Sequence, residues 1–291
     1  LGIGAIIGTG IFVLTGTVAA QNAGPAVVFS FALAGTASIF AALCYSEFAA
    51  LVPIAGSAYT YGYATLGELF AWIIGWDLVL EYALSATTVA IGWSGYLVSF
   101  LRNIGIPVPA HLSAASGTQV AMADGTTVTA LFNLPAVVIV LLVTALLVRG
   151  IKESARVNDV IVFIKVAVIL LFIVFAWGAI DPENWKPFIP ANTGARENFG
   201  VTGIIAGAGI VFFAYIGFEA VSTAAGEAKN PQRDMPFGIL GSLVICTVLY
   251  MATSAVLTGV IPFTKLNVAA PVATAVVVPN VVEDLGLGHH P

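Results

Sequence analysis

Two stretches of this chain carry residues whose types and spacing suit chemistry inside an otherwise apolar sequence. One is LGIGAIIGTGIF, Leu1 to Phe12, with Gly2, Gly4, Gly8 and Gly10 inside nine residues. The other is IVFFAYIGFEAVS, Ile210 to Ser222, with Gly217 and the ionisable Glu219. Both lie in apolar runs, and both hold what a membrane helix avoids. Glycine costs a helix interior about 1 kcal/mol against alanine, and a carboxylate at the bilayer centre costs about 2.5–3.5 kcal/mol on insertion scales. Two such segments in one chain predict broken helices that face each other around a polar ligand.

The glycines of the first stretch admit two readings. The spacing of Gly4 and Gly8 is that of a GxxxG packing face, which lets helices approach closely. Alternatively the stretch is unwound, so that the free amides of Gly8, Thr9 and Gly10 receive a carboxylate. A helix N-terminus carries roughly half a positive charge and favours an anion there. Freed carbonyls near Ile6 would then accept from an ammonium group. A dinucleotide loop is excluded, because the sixth position of a GxGxxG motif starting at Gly2 is Ile7 and no strand precedes it.

The second stretch supplies the complementary half. Gly200, Gly203, Gly207 and Gly209 make a small-residue face for a neighbouring helix. Phe213 precedes the break expected near Ala214 to Gly217, which puts its ring over the ligand. The carbonyls of Phe213, Ala214 and Ile216 lose intrahelical partners and face the ammonium. Together the two breaks fit a zwitterion, an amino acid backbone, held by main-chain dipoles without a charged side-chain clamp.

Lys165 lies about eight residues into its apolar run, roughly 12 Å deep at 1.5 Å per residue. Three roles are open to it: a structural partner of Glu219, Glu47 or a carbonyl; a proton carrier, since loss of hydration disfavours the charged form; or a fixed ammonium replacing a coupling sodium ion. Glu219 titrates in the opposite sense and is a candidate for the same proton-coupling role.

The elements that position these residues follow from composition. Of 291 residues, 59% are hydrophobic and 9% charged, and mean hydropathy is +1.01. A soluble domain carries about 25% charged residues, so an all-α polytopic membrane protein is expected. The net charge of −5 offers nothing to nucleic acid. Cys44 and Cys246 have no metal-ligand spacing and read as small hydrophobes. No HExxH, GxSxG, Walker or CxxC pattern occurs, so no enzyme, cofactor or metal is expected.

At roughly 20 apolar residues per crossing, seven spans are predicted. Span 1 is 1–21, broken near 6–10; span 2 is 26–51; span 3 is 68–101; span 4 is 130–148. Span 5 is 160–180; span 6 is 199–225, broken near 214–217; span 7 is 237–260. Pro53 to Tyr63 reads as a connector and 102–129 as a polar loop without periodicity. Arg149 to Asp159 reads as a compact charged loop formed by a short surface helix, and Gly226 to Pro236 as a second charged loop. Beyond Pro262 the apolar run 272–282 is too short to span, so no eighth helix is expected. The chain opens at Leu1 inside an apolar stretch, which reads as a fragment with earlier residues missing.

Basic residues in short loops set orientation. Arg149, Lys152, Arg156, Lys229 and Arg233 lie on one side, against Arg102, Lys186, Arg196 and Lys265 on the other. The cluster in loop 4–5 favours that side as cytoplasmic. Trp76, Asp77, Glu81 and Tyr82 read as packing or interface anchors. Glu47 and Glu68, near helix ends, read as solvated or capping groups.

Four motifs carry a resemblance: GAIIGTGIFVLTG from Gly4, YSEFAALVPIAGSAYTYGY from Tyr45, GELFAWIIGWDLVLEY from Gly67 and FFAYIGFEAVSTAAGEAKNPQRDMPFGI from Phe212. In these the chain resembles the cationic amino acid transporter family of the amino acid–polyamine–organocation superfamily, over about 1–275. The resemblance implies a five-plus-five inverted-repeat transporter fold, here an N-terminal portion ending after about seven transmembrane helices. It implies a permease domain over 1–275 and an atypical tail over 276–291. It places Ile6, Thr9 and Gly10 at the substrate-backbone positions of span 1, with Gly8 beside them. On span 6 it places Phe213, Ala214 and Ile216 there, next to Gly217. Lys165 and Glu219 take the proton-coupling positions.

The expected activity is secondary active transport of amino acids, as proton-coupled symport by alternating access. The alternatives are an amino acid exchanger without proton coupling and a membrane sensor that binds without moving substrate. Expected partners are an amino acid, protons and the lipid bilayer of the cell (plasma) membrane, with oligomeric state left open.

Overall fold

Where the sequence runs apolar for about twenty residues the backbone is helical, because in lipid each peptide group must find its partner within its own segment. The structure is a computed structural model that describes residues 1–106, 108–121, 126–149, 151–195 and 197–276, without the side chains of 121, 151–156 and 227. The last part of the expected tail, 277–291, lies outside the described residues.

Span 1 comprises α1 (Gly2–Ile6), a π-helical turn (Gly10–Leu14), α2 (Thr15–Val18) and a second π turn (Ala19–Ala23). Gly24, at φ +61°, and Pro25 end it. Span 2 is α3 (Val27–Leu51). The connector after it contains a helix, α4 (Ser57–Leu66), and α5 (Glu68–Asn103) follows directly. At 36 residues, α5 is about 54 Å long, well beyond the bilayer core.

α6 (Leu134–Arg149) and α7 (Ile151–Ala176) form spans 4 and 5. Span 6 comprises α8 (Gly200–Val211) and two 3-10 segments, Phe212–Tyr215 and Glu219–Glu227. Span 7 is α9 (Pro231–Val260). By length and composition, five stretches among the described residues can cross a membrane. One of them, Gly10–Leu51, holds spans 1 and 2, and α6 is a shorter apolar helix.

Several expectations are corrected. The short helix expected in the charged stretch before span 5 is not a separate element, since α7 runs unbroken from Ile151 into the span. Span 7 starts six residues early, with Pro231 in the first helical turn, where its missing N–H is no loss. The polar loop 102–129 contains a short antiparallel pair, β1 (Gln119–Ala121) and β2 (Thr127–Thr129), with Val120 opposite Val128. Three-residue strands are too short to show alternation. Residues 271–276, at the start of the apolar run expected to be too short to span, are helical.

The chain divides into two compact units. In the unit of 83–161, Asn133 caps α6 by accepting from the Ala136 amide at 3.1 Å and donates to Ser94 Oγ at 2.6 Å. The other unit joins Leu1–Tyr82 with the chain from Val162 onward and holds the broken spans.

In that second unit, span 1 and span 6 run antiparallel. Gly203 lies against the Asn22 carbonyl, Gly207 against Val18 and Ser30, Gly10 against Ala214, and Gly217 against Ala5. Small residues permit this approach, while Gly209 has open space at its Cβ position and takes no part. α3 runs antiparallel to α9, with Gly35 on Thr247 and the Phe31 ring 5.3 Å from that of Tyr250. Of the cysteines, Cys246 is buried and Cys44 exposed, and both are free thiols.

Candidate functional site

Each broken span is interrupted at its glycines. α1 ends at Ile6, Ile7 is extended (φ −71°, ψ 104°), and helix resumes at Thr9 into the π turn. In span 6 the first 3-10 segment ends at Tyr215, and Ile216 is extended (φ −53°, ψ 135°). Gly217 then takes φ +114°, a conformation that L side chains rarely adopt. A Cβ there would also stand 2.7 Å from the Ala5 carbonyl oxygen. The Gly10 backbone leaves no room for a Cβ beside Ala214. The two interruptions therefore touch, at Gly10–Ala214 and at Ala5–Gly217.

A helix end leaves its last carbonyls and first amides without intrahelical partners. At the end of α1 two of these carbonyls are taken by Lys165, whose Nζ donates to Gly4 O and, at 2.7 Å, to Ile7 O. Of the structural partners open to this residue, the carbonyls are the ones observed. Among the described residues no carboxylate pairs with it. A cation at a helix C-terminus is stabilising by up to about 2 kcal/mol in partly buried geometry.

Sequence reasoning missed Tyr250. Its hydroxyl lies 2.8 Å from Ile6 O and 2.9 Å from Ala214 O, so one group ties the carbonyls of both breaks. The side chain is fully buried, between the rings of Phe31 and Tyr215. A hydroxyl has one proton, which these two acceptors share. The carbonyls of Ile6 and Ala214, expected to face an ammonium, are thus already engaged, each keeping a second lone pair. The available signal was a lone tyrosine within the apolar α9, since a buried Tyr O–H needs a partner.

Glu219 is 4% exposed. Its Oε2 accepts from the Gly217 amide at 2.8 Å, which ties the carboxylate to the break, while Oε1 is buried without a partner. The Phe213 ring is 67% exposed, and the Phe213 carbonyl accepts from the Ile216 amide at 3.4 Å. Gly8 and Thr9 are half-buried, and the Thr9 side chain makes no capping bond. The arrangement therefore joins Ile6, Gly10, Ala214 and Gly217 around one junction, with Lys165 on its span 1 side and Glu219 on its span 6 side. Among the described residues no group of His, Cys, Asp or Glu is placed to hold a metal.

The chain is a multi-pass integral membrane protein in which two broken, antiparallel spans touch at their interruptions. The chain belongs to the amino acid permease family, which it matches over residues 1–287. It is 54% identical over 275 residues to the methylthioribose transporter of Bacillus subtilis, covering 94% of this chain and 56% of that protein. It is 55% identical over 265 residues to the branched-chain amino acid permease BcaP of the same organism, covering 91% of this chain and 54% of that one. It is also 38% identical over 277 residues to the vacuolar cationic amino acid transporter 4 of Arabidopsis thaliana, covering 94% and 44%. These relatives are permeases and transporters, not enzymes. The chain spans about half the length of the curated relatives it matches.

Proposed function

We propose that the full-length permease carrying this chain imports amino acids across the cell membrane as a proton-coupled symporter. The observation that carries this reading is the Lys165 ammonium on the Gly4 and Ile7 carbonyls, flanking the span 1 break. An ammonium makes charge-assisted bonds to these carbonyls, roughly twice as strong as neutral ones. The protonated lysine holds α1 against span 5, and the neutral amine holds it less firmly. Proton release on one side of the membrane then frees α1 to move, which is the coupling step of alternating access.

The substrate backbone lies beside the junction of the two breaks. Its carboxylate meets the amides of Gly8, Thr9 and Gly10, and its ammonium meets the carbonyls on the span 6 side, around Phe213, Ala214 and Ile216. Neutral aliphatic side chains suit the site better than cationic ones. The carboxylate of Glu219 is buried and turned to the Gly217 amide, not presented to a cationic side chain. The branched-chain substrate in the name of the 55% identical relative points the same way.

Uptake of labelled leucine into proteoliposomes with an alkaline interior tests the reading. Uptake is expected to rise several-fold with the gradient and to fall when a protonophore collapses it. Uptake that ignores the gradient but requires internal amino acid would show an exchanger, and binding without flux a sensor.

Tyr250→Phe is expected to raise KM for leucine about tenfold, with less effect on the maximal rate. It leaves two main-chain carbonyls at the breaks without their donor, at about 1–3 kcal/mol for an unsatisfied buried group. Unchanged KM would remove Tyr250 from the site.

A further inference from the structure

Span 6 resumes after Gly217 not as an α-helix but as a 3-10 helix of nine residues, Glu219–Glu227. Runs beyond three or four residues are uncommon, because the i→i+3 hydrogen bonds are poorly aligned and side chains eclipse; such a run marks a hinge or strain. The side chains of the segment match this winding. Ser222 Oγ donates to Glu219 O and Thr223 Oγ1 to Ala220 O at 2.7 Å, each three residues back. Threonines in the α-helices reach four back, as Thr36 does to Ala32 and Thr87 to Ala83, both at 2.8 Å. Serines such as Ser94 and Ser254 reach three back there too, so the side chain that distinguishes the winding is Thr223.

Two further observations place the segment under constraint. At its start Glu219 Oε1 is buried and unpartnered. The hinge itself is wedged by aromatic rings: Tyr45 lies edge-on to Phe218 at 5.6 Å and to Tyr61 of α4 at 6.2 Å, and Tyr61 stacks on Phe48 at 5.1 Å.

We infer that Glu219–Glu227 is a two-state segment, held as a 3-10 helix in this conformation and rewinding to an α-helix when the carrier changes state. Rewinding reduces the rise from about 2.0 to 1.5 Å per residue. Over nine residues that draws in the end of span 6 by roughly 4–5 Å. The turn per residue also falls from about 120° to about 100°, so the faces of the segment rotate relative to Gly217. The hinge then delivers a displacement along the span as well as a bend. This inference rests on the transport reading only for what triggers the change.

Spin labels at Ala220 and Gly226, in full-length permease with Cys44→Ala and Cys246→Ala, report the segment itself rather than the bend at Gly217. Leucine is expected to shorten their separation by about 3 Å in part of the population, six residues at about 0.5 Å each. The double variant Ser222→Ala, Thr223→Ala, which removes the three-back bonds, is expected to shift the same population without leucine. Calorimetric binding of leucine on the same sample separates the two readings. Binding with one fixed separation, unaltered in the double variant, overturns the two-state segment. Absent binding with two separations in the double variant supports the segment and overturns the substrate reading instead.

Discussion

Lys165→Ala is expected to cut gradient-driven leucine uptake at least tenfold and to leave the remainder indifferent to pH. The variant orphans the carbonyls of Gly4 and Ile7 at the end of α1, at about 1–3 kcal/mol for each buried group. It also removes the cation from that helix end, worth up to about 2 kcal/mol. α1, five residues long, has few other bonds to hold its direction, so its last turn frays and the break loses its shape. Lys165→Arg separates structure from coupling. A guanidinium keeps the donors and the charge but does not titrate, so binding and exchange should recover while accumulation against the gradient should not. Gradient-driven accumulation by the arginine variant would show that no proton passes through this position.

The positions of the breaks were legible because glycine and a carboxylate are expensive in a membrane helix, and the chain concentrates them at 2–10 and 217–219. The bend in span 6 follows from its residue type: Gly217 adopts a φ of +114° that L side chains rarely hold. The partners of the buried polar groups were not legible. Lys165 had three kinds of partner open to it by depth, and only the fold brings Gly4 and Ile7 to it across more than 150 residues. Tyr250 is marked only as a lone tyrosine in an apolar run, which says that its hydroxyl needs a partner but not which one. The partners come together only where spans 1, 6 and 7 meet. The π turns of span 1 and the 3-10 winding after Glu219 were equally hidden. Hydrophobic periodicity reports that a segment is helical, not which hydrogen bond closes its turns.

Gly217→Val is expected to abolish transport of every substrate, with binding weakened more than a hundredfold. Two independent penalties act at this position. A side chain at φ +114° costs on the order of 1–3 kcal/mol in backbone strain. Its Cβ, only 2.7 Å from the Ala5 carbonyl oxygen, forces spans 1 and 6 apart, an overpacking cost of typically about 1–3 kcal/mol. Each 1.4 kcal/mol is a tenfold change in an equilibrium constant, so the lower ends together give about thirtyfold and the mid-range values, about 4 kcal/mol in sum, several hundredfold. The protein relieves the strain by rewinding Ile216–Phe218, which moves the Ala214 carbonyl away from Tyr250 and turns the Gly217 amide from Glu219. Gly241→Val on α9, where a Cβ meets nothing within 4 Å, supplies the control and should retain uptake. If Gly217→Val binds leucine like the parent while Gly241→Val does too, the junction of the two breaks is not where the substrate sits.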